Sequence, residues 1–325
     1  MKLASPLARV APPDRAAWDA LVRGSREAAV FHTAAWAELW LHEWRDARWE
    51  AIVLLEEDGG YAGAIAMIVR KRGPLRTIHS MPFATYGGPL VRTGHPDPAS
   101  VRRQLLEAYA RLAGSRLTLR SELTWYQGAR EEIPGRLAAE TAFTHVLPLS
   151  ADFEALAEGF SPSTRRLVRQ AEESGLAIRA ATSAEDLRVF YELAVETVRR
   201  RGGRPKPYEL YGRILETLVP LGMARYHLVH HGDTPVAGSL HLFHEGVAAN
   251  WLPVSREAHW HLRPNNFLIA RVLETLCAAG YIEYNFGASP PDAAGLIRFK
   301  EGWGARPRTV VIAGSRSAVH RKLRG

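Results

Sequence analysis

Cysteine is nearly absent, with Cys277 standing alone among 325 residues. One thiol closes no intramolecular disulfide and builds no cysteine-based metal cluster, and between Leu276 and Ala278 it reads as a small apolar filler of a buried helix. Long hydrophobic runs are missing too. The longest, residues 63–69 and 309–314, fall far short of the roughly 20 apolar residues that span a bilayer. Pro6 and Arg9 interrupt any apolar leader behind Lys2, so a cytoplasmic protein is expected. No glycine-rich phosphate loop follows a strand-like segment, which leaves NTPase and nicotinamide oxidoreductase readings without a motif. Histidines are plentiful from His227 to His261, but none has the His-Glu-x-x-His spacing. They are expected on exposed strand faces, with no metal.

What remains is ordinary globular usage, 46% hydrophobic and 23% charged, in a chain long enough for two domains at roughly 150 residues each. Lys and Arg outnumber Asp and Glu by 42 to 34, a formal charge of +8. That field favours anionic partners such as phosphorylated cofactors, tRNA or an anionic lipid surface.

Caps and apolar spacing delimit the elements. Residues 14–22 have helical spacing, and Thr33 opens a second helix in which Trp36, Trp40 and Trp44 form one aromatic stripe suited to a core. Residues 49–55 and 61–69 are β-rich and flank an Asp58-Gly59 turn, the mark of a hairpin. A helix over 98–113 and a strand near 116–120 follow. Ser161 and Gly175 bound a helix over 162–174, and Ser183 opens another that reaches about Arg201. The segment 199–206 then carries five basic residues in eight. Beyond it lie a helix (208–218), three strands (224–230, 235–243, 246–254), a helix (266–279) and a strand (281–286). Two helices, a strand, a turn and a strand beginning Ala-Gly occur in both halves, around Ala62-Gly63 and Ala237-Gly238. A unit this large argues for duplicated domains rather than a solenoid.

The second copy holds the more informative chemistry. Its loop 255–265 opens directly into a helix, whose unpaired N–H groups and positive dipole end suit a pyrophosphate. Arg256, Arg263, Asn265 and Asn266 add charge and donors there. Downstream, Gly295 to Gly304 packs Lys300 among apolar and aromatic groups, where an ammonium could meet an oxyanion or a phosphate. Arg165, Arg166, Arg169 and Arg201 are candidates for a phosphorylated substrate.

The order of these motifs resembles a known family. Thr164-Arg165-Arg166-Leu167-Val168-Arg169-Gln170-Ala171-Glu172, Thr197-Val198-Arg199-Arg200-Arg201-Gly202, Tyr284-Asn285-Phe286-Gly287-Ala288-Ser289 and Phe299-Lys300-Glu301-Gly302-Trp303-Gly304 look like the FemAB-related branch of the GNAT acyltransferase superfamily. Phe31-His32-Thr33-Ala34-Ala35-Trp36 and Tyr86-Gly87-Gly88-Pro89 extend the resemblance over nearly the whole chain. It implies an α/β protein of two tandem GNAT-like domains, each a mixed, mostly antiparallel sheet flanked by helices. The expected division is a first domain over 1–150, a connecting segment with the basic helix over 151–183, and a C-terminal domain over 184–325 with the active site.

The activity implied is transfer of an acyl or aminoacyl group to an amine, on a small-molecule or lipid-linked acceptor such as a cell-envelope or exopolysaccharide precursor. The donor expected is acyl-CoA, acetyl-CoA foremost, because no segment matches the long charged helical hairpin of relatives that use aminoacyl-tRNA. By the same resemblance Lys300 faces the oxyanion, Phe299 packs beside the reacting groups, and Tyr86 and Trp303 contact substrate. Asn285 and Ala288 stand where many relatives carry Asp and Arg. That replacement keeps open a catalytically inactive RNA-binding relative, and the resemblance itself an aminoacyl-tRNA-dependent enzyme of the peptidoglycan-bridge type, with peripheral membrane contact a further option for the basic surface.

Overall fold

The computed structural model describes residues 8–83 and 85–316, which form two compact units. The first runs to Ala142 and takes the chain back from Thr309, and the second is Phe143–Arg308.

The first unit contains β1 (Arg9–Ala11), α1 (Arg15–Arg23), α2 (Ala34–Glu43), β2 (Ala47–Leu55), β3 (Tyr61–Arg72), β4 (Leu75–His79), β5 (Leu90–Val91), α3 (Pro98–Ala113) and β6 (Thr118–Tyr126). Local chemistry places the helices as expected. Asp14 accepts from the Ala17 amide to cap α1, and Thr33 accepts from the Trp36 amide to cap α2. The aromatic stripe is core, with Trp36 and Trp40 fully buried and their rings 5.7 Å apart edge to face. The β2–β3 hairpin turns at Gly59, whose φ of 86° suits glycine.

β7 (Ala138–Pro148) enters the second unit at Phe143 and leads into α4 (Phe153–Glu158), α5 (Pro162–Glu172), β8 (Leu176–Ala181), α6 (Ala184–Arg200), α7 (Tyr208–Thr217), β9 (Ala224–His231), β10 (Thr234–His244), β11 (Val247–Ser255), α8 (Pro264–Ala278), β12 (Glu283–Ala288) and α9 (Ala294–Glu301), after which β13 (Arg306–Arg316) belongs from Thr309 on to the first unit. The expected duplication is visible in the topology. One unit's strands run β1-β2-β3-β4-β6-β13 and the other's β8-β9-β10-β11-β12-β7. Each series contains a parallel pair, β4 with β6 and β11 with β12, joined through a helix, α3 or α8. Parallel neighbours need such a crossover, whereas the antiparallel pairs need only a turn.

The expected division of the chain needs two corrections. Residues 151–183 are not a connector: they fold as α4, α5 and β8, and Phe160, Ala171 and Leu176 sit in one core with Phe267, Leu273 and Trp303. The C-terminal apolar run does not stay with its sequence neighbours either. As β13 it pairs with β6, Val311 opposite Trp125 and Ala313 opposite Leu123, while β7 pairs with β12 from Pro148↔Glu283 to Thr144↔Ala288. A strand belongs to the sheet edge that satisfies its backbone. Among the described residues no helix is long and apolar enough to cross a membrane.

Candidate active site

The site is built where two parallel strands part. β11 and β12 pair only over Val247↔Glu283, Ala248↔Tyr284 and Ala249↔Asn285, yet β11 continues to Ser255 and β12 to Ala288. On its other edge β12 is bulged, its register with β7 jumping from Asn285↔Val146 to Ala288↔Thr144. Gly287 takes φ of 79° within the bulge, a left-handed conformation that a side chain would strain. Asn285 pins this geometry. Its Oδ1 accepts from the Thr144 hydroxyl at 2.6 Å and from the Gly287 amide at 2.8 Å.

The bulge turns two carbonyls toward α9. Lys300 Nζ donates to the Gly287 oxygen at 2.6 Å and to the Ala288 oxygen at 3.0 Å. The residue is only 4% exposed, and no carboxylate among the described residues pairs with its ammonium. Burial, with the positive charge of Arg201 adding to it, lowers its pKa to about 8. Two of its three N–H bonds meet the bulge, and the third meets no described residue.

Packing sets the position of Lys300. Phe299 lies edge-on to Trp303 at 6.3 Å, and Trp303 packs against Phe160 at 5.0 Å. The Gly302 carbonyl accepts from the Ser161 amide at 2.8 Å. A Cβ on Gly302 would lie 2.6 Å from the Thr164 hydroxyl oxygen, so glycine lets the start of α5 close on the end of α9.

The expected site residues divide into three groups. Lys300, Phe299 and Asn285 do meet around the bulge, although Asn285 is 3% exposed and holds the backbone rather than facing the opening. Trp303 is fully buried and is a core residue, a correction to its expected substrate contact. Arg165 is likewise reassigned. Its guanidinium donates to the Glu158 and Phe160 carbonyls at 2.8 and 2.7 Å, tying down the end of α4. Arg166 and Arg169 are exposed, with no side-chain hydrogen bond or ion pair to a described residue. Arg201 closes α6 and is exposed. Tyr86 belongs to the first unit, stacked on Tyr126 at 4.7 Å and edge-on to Phe31.

The loop before α8 gathers the remaining candidates. Arg256 lies 3.6 Å from a Glu196 oxygen, and Arg263, left-handed at φ 57°, donates from Nε to the Gln170 side-chain Oε1 at 3.4 Å. Asn265 donates to Ser255 Oγ at 3.4 Å, while Asn266 is buried inside the first turn. The helix begins at Pro264 rather than at Asn266. Arg200, outside the expected set, donates from both terminal nitrogens to the Ser255 carbonyl at 3.2 Å and lies 4.9 Å over the Trp260 ring. Its signals in the sequence are the basic run 199–206 and the Thr197–Gly202 motif.

The strand histidines are not all on exposed faces. His241 is fully buried, with Nε2 2.9 Å from the Tyr284 hydroxyl and Nδ1 2.9 Å from Ser239 Oγ. Burial holds its pKa well below the usual imidazole range and takes that of His227 down to about 4. His145 and Thr144 went unnoticed in the sequence because nothing local marks β7 as the partner of β12.

Residues 160–301 match the sequence profile of the acetyltransferase (GNAT) domain family. The whole chain superposes on the crystal structure of FemX with a TM-score of 0.70 at 15% identity, covering 98% of this chain and 100% of that one. A tandem GNAT protein from the clavulanic acid biosynthesis pathway gives 0.55 at 14% identity, over 95% and 97% of the two chains. The C-terminal domain of a candidate lysylphosphatidylglycerol synthetase from Agrobacterium fabrum gives 0.56 at 14%, over 94% and 92%. No curated protein matches the chain at significant sequence similarity. The protein is thus an α/β tandem-GNAT fold. More narrowly, its fold is that of FemX, and residues 160–301 carry the match to the acetyltransferase (GNAT) domain family.

Proposed function

We propose that this protein transfers an acyl group from an acyl-CoA, acetyl-CoA foremost, to an amine on a cell-envelope or exopolysaccharide precursor. The observation that carries this reading is the Lys300 ammonium, buried without a carboxylate partner and held by two carbonyls where β11 and β12 part. An amine attacking a thioester or ester drives negative charge onto the carbonyl oxygen, and the free N–H of Lys300 meets that oxygen. The cation is placed before the charge develops, so no reorganisation is needed at that moment. Phe299 walls the reacting groups, and Asn285 acts through Gly287 to keep Lys300 in register. Arg256, Arg263 and Asn265 serve the donor's phosphates at the start of α8, and Arg166, Arg169 and Arg201 serve an anionic acceptor.

A second reading, with aminoacyl-tRNA as donor, is favoured by one detail of that helix start. Pro264 at the first position of α8 supplies no N–H, and the loop before it folds as a short 3₁₀ helix, Glu257–Leu262, without glycine. A pyrophosphate there would rely on side chains rather than on a backbone cradle.

Incubating the full chain with radiolabelled acetyl-CoA or alanyl-tRNA, and with glucosamine, lysine and ethanolamine as acceptors, separates the readings. Label on an amine from acetyl-CoA supports the first, and label from alanyl-tRNA alone supports the second. Tight, steeply salt-dependent tRNA binding without transfer from either donor would reject both in favour of an RNA-binding protein.

A further inference from the structure

Amide formation requires the attacking nitrogen to lose a proton, and none of the residues assigned above takes it. Glu283 lies at the far end of β12 from the bulge, with an oxygen 3.7 Å from Arg308. Glu301 is exposed on α9. Tyr284 is fully buried, and its hydroxyl is committed to His241.

His145 is placed differently. It is the β7 residue between the two ends of the register jump, Val146↔Asn285 and Thr144↔Ala288, and so lies against the bulged residues Phe286 and Gly287. Lys300 binds the same bulge through the Gly287 and Ala288 carbonyls. His145 on β7 and Lys300 on α9 thus flank one kink of one strand, and the Lys300 charge acts on the His145 ring. His145 is 3% exposed, yet its buried Nδ1 has no hydrogen-bond partner. Burying an unpaired ring nitrogen is costly, and such groups are retained where chemistry uses them.

The electrostatics favour the neutral ring. Burial and the Lys300 charge both lower the His145 pKa, and Glu301 opposes them. A neutral imidazole can accept a proton, and beside a fixed cation it does so more readily as negative charge develops on the carbonyl under attack.

We propose, building on the group-transfer reading above, that His145 is the proton acceptor for the attacking amine. The amine lone pair forms the new C–N bond, and the carbonyl π pair moves to the oxygen facing Lys300. The N–H proton passes to the His145 imidazole. On collapse the C–S bond of a thioester, or the C–O bond of an ester, breaks. The imidazolium then returns its proton to the leaving sulfur or oxygen, so the products are the amide and the free thiol or hydroxyl, and His145 ends neutral.

The test uses the full chain with acetyl-CoA or alanyl-tRNA, whichever the wild type consumes, and its preferred amine. His145→Gln should lower kcat about 100-fold or more with donor KM little changed, and should abolish the acid limb of the pH profile. Added imidazole should restore part of the rate of His145→Ala but none of that of Lys300→Met. Wild-type kcat with an intact acid limb in His145→Gln, or a loss in His145→Ala that imidazole does not restore, would overturn the assignment. A readout independent of turnover is the NMR titration of ¹³C-labelled His145. Its pKa should rise in Lys300→Met, and an unmoved pKa would show that the two groups do not share the bulge. Absence of transfer by the wild type from either donor, with the NMR coupling intact, would instead sink the group-transfer reading and the base role with it.

Discussion

Lys300 Nζ donates to the carbonyl oxygen of Gly287 at 2.6 Å, a contact between the penultimate residue of a short helix and the left-handed residue of a strand bulge. An ammonium bound to neutral carbonyls keeps its charge unspent, unlike one paired with a carboxylate. The arrangement suits a cation that must act on charge formed during a reaction.

Replacing Lys300 with Met keeps most of the aliphatic length and removes the charge. Turnover should fall about 100-fold to 1000-fold, while the donor dissociation constant stays near the wild-type value, because the oxyanion exists only in the transition state. A raised dissociation constant with unchanged turnover at saturation would assign Lys300 to a donor phosphate instead.

The pKa of about 8 at Lys300 gives two pH signatures with definite signs. Activity that needs the ammonium should decline as pH rises through 8. Stability should move the other way: between pH 8 and the ordinary lysine value of 10.5 the unfolded chain holds the lysine proton more than the folded one does, so unfolding becomes harder as pH rises. Urea unfolding of wild type and Lys300→Met across this window checks it, since the variant should lack that increment. Equal slopes would mean that the lysine is not buried as described.

Asn285→Leu removes the acceptor of the Thr144 hydroxyl and the Gly287 amide, leaving buried donors unpaired. A loss of about 2 kcal/mol in unfolding free energy is expected, with turnover falling as the bulge loosens. Asn285→Asp retains an acceptor and should keep the fold, while its negative charge raises the Lys300 pKa and shifts the alkaline limb upward. An alkaline limb unmoved in Asn285→Asp would place the two groups too far apart to interact.

The arginines of α5 should behave differently from one another. Arg165→Ala releases two carbonyls at the end of α4 and should lower thermal stability, at a cost of about 1 kcal/mol, with acceptor KM unchanged. Arg166→Ala and Arg169→Ala should leave the melting temperature alone and raise KM for an anionic acceptor, an effect that shrinks at high salt. The reverse pattern, stability lost at Arg166 and affinity lost at Arg165, would exchange their roles.

The local signals of this chain were sufficient for most of its elements. Asp14, Thr33, Ser161 and Ser183 cap their helices because each cap bond reaches only three residues along the chain. The Asp58-Gly59 turn and the paired order of helices and strands made the duplication readable for the same reason. The long-range pairings were not legible. Nothing near residues 309–314 indicates that they pair with β6, and nothing near His145 indicates that β7 borders β12. Lys300 could be singled out between its glycines, but its carbonyl partners exist only because the β7–β12 register slips at Gly287. Trp303 and Arg165, read as substrate contacts from their motifs, were decided by packing and by a helix end. Caps, turns and periodicity are settled by neighbours along the chain. Strand order, bulge position and the fate of a buried charge are settled by backbone groups that meet only when distant segments pair, and the tertiary structure alone decided them.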